Sequence, residues 1–467
     1  MKKIFNILLL AFAGMLALSA CHKAETIYVS PPVVFTANGI TSDTLKGTVK
    51  GTMLHGKTYY FKSDITVNDG DTLAMQSGVT LIALGDGLTP ATSPEIFMHG
   101  TFISLGTQAE PNFITVQNAA ALKAQAAQQN YTNVFLGWWG GITCTPAAVT
   151  TAVPNPKGGD LILKWTHIEF GGGPAGSGDN QAFYTTGSPR YNIYFANITK
   201  NMIIEDSWFY GSKDDNIRTD GGKISVMRNT FELCNGVGGE FLNMKSGTVG
   251  DVAYNMCIGS GTNSLKASDA GSTGTQCNVN MYNNTMVDGG FRQTKTGRGG
   301  AVDFEKLAKG RCYNNLFINC RFSMRVTSDA DYTNVTYNNN LFYGTVAPIV
   351  AQFYTTDSYT GIPHGSNDIL STTVQTNNPM FYGFNVDQYN FGGDVAALTP
   401  NTMPYPVVVE GTQNFRLLAT SPGIGKGNVL LTPYGTVTAT GTYGTTITPY
   451  GKDLGAYQSD GTGNQHQ

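Results

Sequence analysis

Charge is scarce in this chain: only 13% of its 467 residues are Asp, Glu, Lys or Arg, and the formal net charge is -3. A chain without a basic excess is not built as a general nucleic-acid binder. None of the seven cysteines stands in a CxxC pair, which removes the usual zinc and dithiol-redox arrangements. Cys144, Cys234, Cys257, Cys277, Cys312 and Cys320 are expected as buried thiols or one incidental disulfide. Beyond the N-terminus no apolar run of about 20 residues occurs, so no membrane-spanning helix is expected there. Helix-forming sequence is also rare. Only Asn118 to Gln129 (NAAALKAQAAQQ) has the composition of a helix, expected as a cap or side excursion.

What is abundant is glycine, 57 residues, with many Thr, Asn and Ser, against a background that is still 41% hydrophobic. Such a composition suits short strands joined by tight turns around a filled core. The N-terminus carries its own message. Met1-Lys2-Lys3 precede an apolar run from Ile7 to Leu18, and Leu18-Ser19-Ala20-Cys21 closes it. This is the pattern of a lipoprotein signal, cut before Cys21, whose thiol then carries the lipid. The expectation is an exported monomer, held to the bacterial outer membrane or cell surface through Cys21. Residues 1–20 are the signal, 21–50 a tether, 51–457 the folded domain and 458–467 a polar tail.

A loose repeat organises the middle of the chain. Ile203–Phe209, Ile224–Phe231, Val252–Cys257, Val279–Met286, Cys312–Phe317 and Val335–Phe342 share a strand, a polar turn, most often Asn, and a closing hydrophobe. The closing residues are Phe209, Phe231, Cys257, Met286, Phe317 and Phe342, spaced by 22 to 31 residues. One such unit cannot bury its apolar side chains alone, and stacking makes them continuous. Alternation along each strand sends Ile, Val, Met and Leu inward. The Asn beside the last strand suits a left-handed turn, with its amide free to bond to the Asn of the next coil. The fold expected is all-β: a single-stranded right-handed parallel β-helix with a short helix or cap. The segments after Pro348 are expected as final coils and a closure, since an open end exposes strand edges.

Particular phrases carry a resemblance. Asn377–Phe381 (NNPMF), Asn414–Gly427 (NFRLLATSPGIGKG) and Asp453–Gln458 (DLGAYQ) resemble the last coils of secreted β-helices of the pectate-lyase-like superfamily. Trp139–Ile142, Leu163–Gly172 and Gly211–Gly222 are similar to Bacteroidetes-type β-helical surface lipoproteins, a group without an assigned activity. The resemblance spans roughly 100–345 and implies fold and export route. Glu240–Ser246 (EFLNMKS) is similar to the strand bearing the catalytic Lys of β-helical polysaccharide lyases. There an Arg is expected one coil later; here Asn263–Ser268 offers Lys266.

Lyase chemistry on a uronate needs a base for the C5 proton and positive charge for the carboxylate. Outward positions on successive coils, about 4.8 Å apart, would align Arg218, Lys245, Lys266 and Arg325 as a basic row suited to an acidic sugar chain. Asp214, Asp215 and Asp220 form the densest acidic cluster, a candidate Ca²⁺ site or hydrolytic pair. Because neighbours in a strand point oppositely, at most one of Asp214 and Asp215 is expected to face a given groove unless the loop bulges. Arg292, Lys295 and Arg298 lie in the longest step of the repeat, where a loop could rim a groove, followed by Asp303 and Glu305. Trp138 and Trp139 are candidates to stack on sugars or to pack the helix, and His167 is expected to be structural. The partner expected is an extended polysaccharide, bound along the coil. A uronate lyase, a glycosidase and a purely adhesive coil are the alternatives.

Overall fold

The computed structural model describes residues 38–177, 184–234, 239–293, 295, 297–354, 364–388, 413–437 and 443–466. The expected signal segment, Cys21 and most of the expected tether lie outside them. Within them the strands pair in parallel, coil upon coil, as a right-handed β-helix. A ten-stranded sheet running from Gly51–Met53 to Val335–Asn338 forms one wall, A. The 19-stranded sheet supplies two more, joined through the long strand Thr58–Val67. Residues 58–61 of that strand pair with Thr80–Ala83, opening wall B, and residues 65–67 with Glu95–Met98, opening wall C. Coiling starts before the expected boundary, because Thr44–Thr48 already pairs with Thr58–Val67.

The repeat read from the sequence is the physical register. Phe209, Phe231, Cys257, Met286, Phe317 and Phe342 pair in turn on wall B and form one buried column. Where two rings meet they lie close, stacked at 4.8 Å for Phe209–Phe231 and tilted at 4.9 Å for Phe317–Phe342. Between walls A and B runs a ladder of side-chain amides. Asn229 donates to Asn255 (3.0 Å), Asn255 to Asn284 (2.9 Å), Asn284 to Asn315 (3.1 Å) and Asn315 to Asn340 (3.1 Å). The left-handed bend, however, falls one residue earlier than expected. Arg228, Tyr254, Asn283, Asn314 and Asn339 have φ between +51° and +59°. A side chain pays about 1–2 kcal/mol for that geometry, and the satisfied ladder behind it holds the bend.

The expected helix forms over Ala119–Ala127, a side excursion with Leu122 and Ala126 turned onto the coil. Among the described residues no helix is long and apolar enough to cross a membrane. The C-terminal segments depart from expectation. Ile369 bridges Leu341 at the end of the coil, but the described residues after 413 run back along its outside. Leu454 packs with Leu316, the rings of Tyr450 and Tyr282 stack at 4.1 Å, and Val437 packs on Ile103, Ile162 and Ile203. Those isoleucines point outward from wall A, and burying them favours a returning strap over further coils. Nor do residues 458–466 form a free polar tail. Asn464 donates to the Asn229 and Tyr254 carbonyls, and the ring of buried His466 stacks on Trp208 at 5.4 Å. All six cysteines described are buried and free.

Candidate functional site

Wall C presents one outward column on consecutive coils: Tyr194, Arg218, Asn243, Lys266, Asp303 and Arg325. The basic row is therefore real but interrupted. Asn243 holds the place expected for Lys245, and Asp303 separates Lys266 from Arg325. Lys245 lies two residues past Asn243, its amide donating to the Thr219 carbonyl at 2.9 Å.

Arg218, Lys266, Asp303 and Arg325 line a cleft of about 210 Å³. Asp214 and Asp215 join them from the turn ahead of Ile217–Thr219, and Lys295 and Arg298 from the loop ahead of Gly300–Glu305. Both aspartates reach the cleft because they sit in a turn, where the strand alternation that would separate them does not apply. Asp220 does not join them: its carboxylate accepts the Tyr194 hydroxyl at 2.8 Å and lies 3.6 Å from Arg218 Nε. Among the described residues no group of three His, Cys, Asp or Glu side chains is placed to hold a metal ion. Asp214 and Asp215 line the cleft, whereas Asp220 is engaged by Tyr194 and Arg218.

Other candidates lie elsewhere. Trp139 is fully buried, its indole donating to the Glu169 carbonyl at 2.8 Å and its ring edge-on to Phe61. Trp138 is half-buried and donates to the Asn133 carbonyl. Both pack the excursion that carries the helix against the coil. Arg292 is buried over the Phe135 ring at 5.4 Å. His167 is sandwiched between Phe113 and Trp208 on wall B.

Three carboxylates complete the site. Glu240 and Glu305 flank Lys266, whose Nζ lies 3.5 Å from one and 3.1 Å from the other. Asp303, on the wall strand itself, pairs with Arg325 at 2.8 Å. Asp303 and Glu305 had read as a loop rim; strand alternation (outward at 303 and 305) was the signal that places them on the wall. Glu240 carried no such signal, since only folding brings it beside Asp215.

Crowding sets the protonation of these groups. Burial, then the neighbouring Glu240, pushes Asp214 up to about 7, and the same causes hold Asp215 well above the usual carboxylate range. Asp215 accepts the Glu240 amide (2.9 Å) and the Asn243 side chain (2.8 Å). Burial outweighs Arg325 at Asp303 and carries it to about 7. Burial, then the charges of Lys266 and Arg218, pulls Lys245 below the ordinary lysine value. Burial works against the charged form of Lys266 too, but Glu240 and Glu305 prevail and lift it to about 12. One lysine is thus held as a cation, while its neighbour gives up its proton more readily than an ordinary lysine. The recess itself holds raised acids, Asp214 and Asp303, among fixed cations, an arrangement suited to an anionic ligand, while Lys245 is not among the residues that line it.

Fold and cleft together define a right-handed parallel β-helix with a charged recess on one wall. No family model matches the chain, and no curated protein matches it.

Proposed function

We propose that the wall C cleft binds an anionic stretch of an extended polysaccharide. The observation that carries this reading is the convergence of Arg218, Lys266, Arg325, Lys295 and Arg298 on one recess. The column from Arg218 to Arg325 covers five coils, roughly 20 Å at about 4.8 Å per coil, a length that suits a chain rather than a small solute. Export and a lipid anchor at Cys21 belong to the same reading and rest on the leader sequence.

The lowered pKa of Lys245, a neighbour of the cleft residues Lys266 and Arg218, favours a second reading beside the cleft, β-elimination. Lys245 Nζ would take the C5 proton of a uronate, and those electrons would form the C4–C5 double bond as the C4–O bond breaks. The departing oxygen would take its proton from a neutral cleft carboxyl such as Asp214. Arg218 and Lys266 would hold the substrate carboxylate as it gains enolate character.

The test mixes the purified chain with uronate, sulfated and neutral polysaccharides, with and without calcium. Retention of an anionic glycan, lost in high salt, is expected. Unsaturated ends in the product would establish elimination, and saturated ends would point to hydrolysis by the carboxylates instead. Failure to retain any anionic glycan would overturn the binding reading.

A further inference from the structure

The corner where wall C turns into wall A changes character along the coil. Two of its turns rely on glycine, Gly221 with Gly222 and then Gly247, all at positive φ. The loop 269–276 leans back over the second of them. The Gly247 N–H donates to the Thr275 carbonyl at 2.7 Å, and the Ser246 and Thr273 hydroxyls meet at 2.9 Å. The next turn, Lys306–Leu307, is left uncovered, and both residues are exposed. Both are left-handed as well, φ +50° and +63°, where glycine or asparagine is at ease and a longer side chain is strained. Bonds from both sides fix the turn: the Leu307 N–H donates to the Asp329 carbonyl at 2.6 Å, and its carbonyl accepts the Gln276 side chain at 2.7 Å. A strained backbone is thus maintained, and it sets an aliphatic side chain in the open, 62% exposed. Strain held in place by its surroundings is a mark of functional positions.

Leu307 lines a groove of about 690 Å³, with Asp269, Ser272 and Thr275 from the coil before it and Tyr332 and Thr333 from the coil after. From Ser246 to Thr333 the groove crosses three coil steps, roughly 14 Å at about 4.8 Å per coil. Asp269 Oδ1 accepts the Cys277 N–H at 2.7 Å, while Oδ2 and the exposed Ser272 and Thr275 hydroxyls have no partner among the described residues. An open aliphatic surface with a tyrosine ring in the same groove, edged by hydroxyls and a carboxylate oxygen, complements a molecule with one apolar C–H face and a rim of hydroxyls. A sugar ring is such a molecule. Two carboxylates, Asp269 and Asp331, line the groove and no lysine or arginine does, so an anion is repelled there.

From this we infer that the corner groove is a second saccharide site, one that takes an uncharged sugar and is separate from the wall C cleft. The two lie side by side: Asp269 follows the cleft residue Lys266 by three positions, roughly 10 Å at about 3.3 Å per residue. They differ in the sign of the charge that lines them, so a polymer carrying both acidic and uncharged units has a place for each. The inference stands on the groove alone and goes beyond the reading of the cleft.

The experiment is calorimetric titration of the full chain with cellohexaose, mannohexaose, xylohexaose and maltohexaose, each at low and at high salt. At least one is expected to bind, with an affinity that salt leaves unchanged because no ion pair is screened. Leu307→Asn removes the apolar surface and relaxes the turn. It should weaken that binding by about tenfold or more, while the urea midpoint holds or rises; a leucine with a merely structural role would lower the midpoint instead. Retention of an anionic glycan should be the same in this variant as in the wild type. Binding of none of the four, binding undiminished by Leu307→Asn, or binding lost in high salt overturns the inference. Each of those results leaves the cleft reading intact, since that reading fails only when no anionic glycan is retained.

Discussion

Asn284 donates its side-chain amide to Oδ1 of Asn315 at 3.1 Å, one rung of a ladder that crosses from coil to coil. The same amide donates to the Val252 carbonyl, and its oxygen accepts the backbone N–H of Asn255, both at 3.0 Å. Asn284→Ala therefore strands a buried carbonyl and a buried N–H. It should cost about 3 kcal/mol, read as a lower urea midpoint. Asn367→Ala, on an exposed turn, should leave the midpoint unchanged.

Arg190 is buried with its guanidinium 2.7 Å from Glu95 and within reach of the Ser93 and Pro174 carbonyls. Removing the arginine alone leaves Glu95 charged in a dry interior. Arg190→Ala should destabilise the chain by about 3–5 kcal/mol. Pairing Arg190→Met with Glu95→Gln should recover much of the loss in the same unfolding assay.

Lys245 and Lys266 should separate in function. Under the elimination reading, Lys245→Met lowers product formation by on the order of 10²- to 10⁴-fold while the glycan is still retained. Lys266→Met removes the cation between Glu240 and Glu305 and should weaken both retention and stability. A Lys245 variant that keeps full elimination activity would remove it from the role of base.

His466 is held neutral: burial, the largest influence, lowers its pKa to about 4. An unfolded histidine titrates near 6.5, so the unfolded chain binds more protons between those values. The stability this residue contributes is complete above pH 6.5 and is lost as the pH falls through about 4. Because its ring lies against Trp165 and Trp208, acid should change tryptophan emission. His466→Phe should suppress the pH-dependent part.

Asp288 shows the opposite sign. Burial holds its pKa well above the ordinary value, so the folded chain binds the extra proton and stability falls as the pH rises past about 4. Asp288→Asn should raise the melting temperature at pH 7 and flatten its pH dependence. The backbone there is left-handed, φ +53°, a region asparagine tolerates well.

The coil was legible because its strongest signals are local and repeated. Phe209 and Phe342 sit in the same column because each closes a strand after the same turn. The basic face was legible for the same reason, through Arg218, Lys266 and Arg325. Lys245 was assigned one register position wrongly, because a shift of two residues keeps a side chain on the same face and leaves no mark on the hydrophobic pattern. Arg292 looked like surface chemistry, and Trp138 and Trp139 stood open between sugar stacking and packing the helix, because the excursion they pack is defined by contacts distant in sequence. The strap was invisible for the same reason: Val437 and Ile103 announce nothing about each other until the chain is folded.

In that strap, Asn464 and His466 close on Asn229, Tyr254 and Trp208 in the middle of the coil. Loss of those two residues would therefore unseal the middle coils rather than fray an end.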